Sequence, residues 1–166
     1  MATPHLVVDC AAHPAGLFPS DEDRRSYLGI LRSSVHQRLM RVLGYCLLRN
    51  NVHLLLLPGE NGSLESAVGG MREAYADWMR QRGLISGELW QGNTQTDPVG
   101  GSSLWACLRD LELEPVRSRV VDRAEDWCWS SARDHLGQRR GNSLLDLSLW
   151  REQFTPSQWS CVLRGR

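Results

Sequence analysis

One histidine interrupts a run of leucines. NVHLLLLP, Asn51 to Pro58, carries His53 in what otherwise reads as a wholly apolar strand. An imidazole there is either a metal ligand or a core histidine hydrogen-bonded within the fold. Further along, CLRDLELEPVR sets Asp110 and Glu114 four residues apart, hence on one helix face. Two carboxylates so spaced are either hard oxygen ligands for magnesium or manganese, or hydrated acids at a helix end. Arg117, Arg119 and Arg123, with Arg133, Arg139 and Arg140 beyond them, form the densest basic grouping, and Arg49 precedes the leucine run. These are the arginines to meet phosphate if any do, although Asp122, Glu125, Asp126 and Asp134 interleave with them as on a solvated face. Of seven tryptophans, Trp90 in LWQG borders a polar, Gly-rich loop where it could stack on a ligand. Trp127 and Trp129, flanking Cys128, read as packing, as do Trp78, Trp105, Trp150 and Trp159.

Bulk properties narrow the chemistry. The chain has 166 residues, enough for one domain with a real core. All 19 basic residues are arginine, balanced by 19 acids. Zero net charge argues against strong non-specific polyanion binding, so a nucleic-acid partner must be held by a local arginine cluster or held weakly. The five cysteines form no CxxC pair, and buried thiols without disulfide or zinc are expected. Residues 1–20 lack the pattern of a secretory leader, and the longest apolar run is too short to span a bilayer. A soluble, cytoplasmic protein with no membrane partner is expected.

The elements that must hold these side chains can be read from periodicity. His5 to Cys10 alternates as a strand, and Ser20 caps a helix from about Asp21 to Arg38. Leu39 to Leu47 and Val52 to Leu57 make a hairpin through the RNN turn, closed by Pro58-Gly-Glu-Asn-Gly. A second helix starts near Ser63 and stops before Gly83, and a short strand is expected over Glu88 to Gln91. A third helix, about Leu104 to Leu113, should end before Glu114-Pro115, because a residue preceding proline resists helical geometry. Thr155-Pro156 opens a last helix. This order suggests an α+β fold: one antiparallel sheet with helices packed on it.

The motifs YCLLRNNVHLLL, LWQG, CLRDLELEPVR and EDWCWSSARDHLG, with SDEDRRSYL upstream, resemble those of the REP-associated tyrosine transposases. These are single-tyrosine HUH enzymes of the IS200-like kind. The resemblance covers about residues 5–137, with a weaker echo around Leu144 to Trp150. It implies a ferredoxin-like HUH domain over residues 1–137 and a C-terminal extension, 138–166, packing on it. It also implies two histidines on one strand face that hold a divalent ion, and a helix-borne tyrosine that attacks single-stranded DNA and stays attached.

At these positions the chain departs from the pattern. The two histidine positions fall on Asn51 and His53, the third ligand on Glu114, and the nucleophilic tyrosine on Asp110. The basic stretch after the first strand becomes Cys10 to Ala15, and an arginine after LWQG becomes Asn93. An amide binds metal far more weakly than imidazole, and an aspartyl phosphate is labile where phosphotyrosine is stable. The resemblance therefore implies a degenerate member, most simply metal-free, that binds single-stranded or hairpin DNA, or RNA, as monomer or dimer. The surface expected to do so comprises Arg49, Arg117, Arg119, Arg123 and Trp90. Two alternatives remain: a magnesium or manganese nuclease using Asn51, His53, Asp110 and Glu114, and an adaptor for another protein.

Overall fold

The computed structural model describes residues 2–38, 40–59 and 64–165. The expected hairpin start at Leu39, the helix start at Ser63 and the turn residues 60–62 lie outside them. The elements run β1 (His5–Cys10), α1 (Asp21–Gln37), β2 (Arg41–Leu47), β3 (Asn51–Leu57), α2 (Leu64–Gln81) and β4 (Gln95–Pro98). After them come α3 (Leu104–Glu112), α4 (Glu114–Arg117), α5 (Ala132–His135), α6 (Ser148–Arg151) and α7 (Pro156–Leu163). Both caps read from sequence form as capping boxes, Ser20 with Asp23 and Thr155 with Gln158.

The four strands pair antiparallel in the order β2-β3-β1-β4, the ferredoxin-like arrangement. Alternation along β3 sends Val52, Leu54 and Leu56 to one face and His53, Leu55 and Leu57 to the other. The first face packs on α1 and α2 through Tyr27, Leu31, Met71 and Tyr75. The second packs on α3 and the C-terminal helices through Leu104, Leu108, Leu111, Trp150 and Trp159. His53 thus faces α3 because its neighbours on β3 are needed by the α1/α2 core.

A β-bulge at Leu43 interrupts the β2–β3 register. It flips the alternation of β2, so that Val42 and Tyr45 both enter the first core while Leu43 enters the second. Beside it, a Cβ on Gly44 would lie 2.4 Å from Leu108 Cδ1 and 3.3 Å from Ser131 Oγ. Only glycine lets α3 approach the sheet this closely.

Residues beyond 137 fold against the same sheet. Asp146 N–H donates to Val42 O at 2.9 Å, and Arg41 Nε donates to the Asp146 carboxylate at 2.5 Å. The extension thereby covers the β2 edge, and no described helix is long and apolar enough to cross a membrane.

Two expectations need correction. The last strand is Gln95–Pro98, not Glu88–Gln91, where Trp90 makes only an isolated bridge to Ala11 before Gly92 turns the chain at φ 58°. The helix α3, by contrast, ends before Glu114-Pro115 as expected, and after a break at Leu113 the chain resumes helically as α4, with Pro115 in a first turn that needs no proline N–H. The thiols are not uniformly buried, since Cys128 and Cys161 are exposed while Cys46 is fully enclosed. Cys128 points outward because the tryptophans on either side turn inward.

Candidate functional site

Strands β1 and β3 form the floor of a cleft of about 400 Å³ through Leu6, Val8 and His53. Helix α3 forms its wall with Ser103, Cys107 and Asp110, and Glu114 closes the end. Register explains the floor, since His53 lies opposite Val8 and both point to the α3 side. Helical spacing explains the wall, since residues 103, 107, 110 and 114 recur every three or four positions. The fold thus brings together His53, Asp110 and Glu114, three of the four residues singled out from sequence.

The electrostatics of the cleft are settled by arginine. Asp110 Oδ1 accepts from Arg109 Nη2 and from Arg117 Nη2, each at 2.8 Å, and Arg117 Nη1 also reaches Glu114 Oε1 at 3.4 Å. Partial burial pushes the Asp110 carboxyl up, but the two guanidinium groups outweigh it and hold the acid below the usual carboxylate range. Burial pulls His53 below the usual imidazole value, with the Glu114 charge offsetting part of that, so the ring is neutral near pH 7. Burial and the Asp110 charge push the Cys107 thiol up, making it a poor nucleophile.

These donors do not fit a divalent ion. Only one imidazole is present, and the acid beside it is already bound by two guanidinium groups. Asn51 Oδ1 is buried without a hydrogen-bond partner among the described residues, but a lone amide oxygen is a weak ligand. Among the described residues, no three of His, Cys, Asp and Glu stand together as a metal cluster.

All three tyrosines lie away from the cleft. Tyr27, Tyr45 and Tyr75 are buried in the core on the opposite, α1/α2 face of the sheet. The Tyr75 hydroxyl donates to Leu17 O at 2.6 Å, and the Tyr45 hydroxyl is held by Arg139 at 2.9 Å. Burial also raises both phenols above their ordinary value.

The remaining sequence candidates scatter. Arg117 is engaged at Asp110, and Arg123 pairs with Glu125. Arg119 is exposed, at φ 57°, and Arg49 is exposed at the hairpin turn. Trp90 is only 8% exposed; its indole N–H donates to Arg72 O at 3.0 Å and the Arg72 guanidinium covers its ring at 5.3 Å. Little of that ring is left for stacking on a base. Trp127 and Trp129 are half-buried around the Arg24 guanidinium, 5.3 and 5.8 Å from their centroids, and so serve packing as expected.

Sequence reasoning passed over Glu112. It is fully buried, and three groups converge on its carboxylate: His135 Nδ1 at 2.6 Å, Ser131 Oγ at 2.6 Å and Trp159 Nε1 at 2.8 Å. The signal was present, since Leu104, Leu108, Leu111 and Glu112 share the apolar stripe of α3. Glu112 ties α3 to α5 and α7, and so fixes the helix that presents Asp110.

No protein-family model and no curated protein sequence matches the chain. Solved structures do match. The REP-associated tyrosine transposase bound to a REP hairpin superposes with a TM-score of 0.69 at 12% identity, over 89% of this chain and 90% of that one. A candidate transposase from Deinococcus radiodurans R1 superposes with a TM-score of 0.51 at 16% identity, over 76% of this chain and 92% of that one. With its antiparallel sheet, packed helices and cleft between β3 and α3, the chain has the fold of the REP-associated tyrosine transposases, the family its motifs resemble.

Proposed function

We propose that this protein is a nucleic-acid-binding member of the transposase fold that has lost tyrosine-mediated strand cleavage and works without a resident metal. The observation that carries this reading is Asp110. It occupies the wall of the cleft where the resemblance expects the nucleophile, and two arginines hold it as an ion-paired carboxylate. No tyrosine can take its place without unpacking the opposite core. That the matched transposase is bound to a REP hairpin supports hairpin DNA as the ligand to try first.

The test is incubation with single-stranded hairpin DNA and manganese, followed by denaturing electrophoresis and, separately, a gel shift at low salt, where electrostatic binding is strongest. The expected result is a reversible shift with no covalent adduct and no cleavage. A covalent protein-DNA adduct would refute the loss of strand transfer. Free nicked product abolished by His53→Ala would establish the nuclease reading instead, and absence of any shift with DNA or RNA hairpins would leave the protein-adaptor reading.

A further inference from the structure

A neutral chain that binds nucleic acid must concentrate its unpaired positive charge somewhere, and not all of the sequence candidates can supply it. Arg117 and Arg123 are each neutralised by neighbouring acids. The structure gathers two of those candidates, Arg139 and Arg140, with Arg32 and Arg151 along the β2 edge. Two adjoining clefts of about 870 and 550 Å³ meet at Ser143. The larger is lined by Arg139, Arg140 and Arg151, the smaller by Arg32 and His36 of α1.

Each wall residue has a definable state. Arg139 is fixed by Asp134, the Tyr45 hydroxyl at 2.9 Å and Ser130 O at 2.7 Å, and so forms a rigid floor. Asp134, itself buried beneath Arg139, is the sole acid among the described residues lining the two clefts. Arg32, Arg140 and Arg151 are exposed and make no ion pair with any described residue. Arg140 and Arg151 line the larger cleft and Arg32 the smaller, so their charges are spread over two adjoining clefts. A single phosphate would need convergent donors, whereas a chain of phosphates fits a string of separated cations.

We infer that this groove, bounded by Arg32 of α1, Arg140 and Arg151, is the surface that takes the sugar-phosphate backbone of a single-stranded or hairpin DNA. The inference rests on the nucleic-acid reading above and deepens it. It moves the binding surface from the arginines around α4 to the β2 edge of the sheet. Arg139 acts as a positioning residue, holding the 139–145 segment against the sheet through Tyr45 and Asp134.

The test compares the full chain with Arg140→Glu/Arg151→Glu and with a control of equal charge change, Arg80→Glu/Arg164→Glu, in binding to a fluorescent DNA hairpin across a salt series. All four side chains are exposed, so unchanged thermal melts are expected for both variants. Groove reversal should weaken binding tenfold or more at about 50 mM salt and lower the salt slope by about two, while the control should change affinity less than about twofold. If the wild type binds and the groove variant binds equally well, or the control loses as much, the groove assignment is overturned while the nucleic-acid reading stands. If the wild type binds no hairpin even at low salt, the nucleic-acid reading falls and the groove assignment with it.

Discussion

Arg117 of α4 bonds back across the helix break at Leu113 to Asp110 of α3, Nη2 to Oδ1 at 2.8 Å. The residue at the expected nucleophile position is therefore part of an ion-paired surface. Its side chain is 42% exposed and that of Arg117 is 48% exposed, so the pair is well solvated. Asp110→Asn should consequently change unfolding free energy by less than about 1 kcal/mol in a urea titration. A loss of several kcal/mol would mean that the pair is structural, which its exposure argues against.

Glu112, two residues on, should behave in the opposite way. Its carboxylate and the His135 ring are both fully buried, and truncation would strand His135, Ser131 and Trp159 without their acceptor. Glu112→Ala should cost about 3–5 kcal/mol of stability. Glu112→Gln, which keeps the shape and one acceptor oxygen, should cost visibly less. Chemical denaturation of both variants reads the difference.

Gly44 sets the distance between β2 and α3. A methyl group there meets the fully buried Leu108 side chain at 2.4 Å, inside a packed core. Gly44→Ala should destabilise by roughly 1–3 kcal/mol through overpacking. Adding Leu108→Ala should cost less in the Gly44→Ala background than in the wild type, because the two side chains compete for one space, and a double-mutant cycle measures that coupling.

Acid should loosen the C-terminal extension. Hydrogen bonds from Arg41 and Ser148 hold the Asp146 carboxyl down at about 2. A carboxyl depressed on folding contributes stability above its ordinary value near 3.8, and loses that contribution as pH falls through about 2. With the side chain about a third exposed, the contribution should be about 1 kcal/mol after allowance for screening. Asp146→Asn should therefore lower stability at pH 7 and leave it nearly unchanged near pH 2, as thermal melts across that range would show.

Much of the fold was legible because its signals are local. Alternation gave β1, β2 and β3, helical spacing gave α1 and α2, and Ser20 and Thr155 gave two helix starts. β4 was misplaced because Gln95–Pro98 is exposed throughout and carries no apolar alternation; its pairing with β1 is a long-range property. The break at Leu113 was placed nearly right, but the resumption of helix was not. Pro115 is buried against the fold, and tertiary contact outweighed the local bias of the residue before a proline.

The sequence by itself determined that His53 sits in an apolar strand, that Asp110 and Glu114 stand four residues apart, and that no tyrosine lies between Ser103 and Glu114. Spacing along a strand or helix is a covalent fact, so those assignments needed no folding to be read. Only the tertiary structure decided what each charge meets. Arg117 met Asp110 across the break between α3 and α4 and Arg123 met Glu125, while Arg32, Arg140 and Arg151 were brought to one edge without an ion pair to any described residue. Ion pairing depends on separation in space at the scale of a few ångströms, and chain order does not encode that separation.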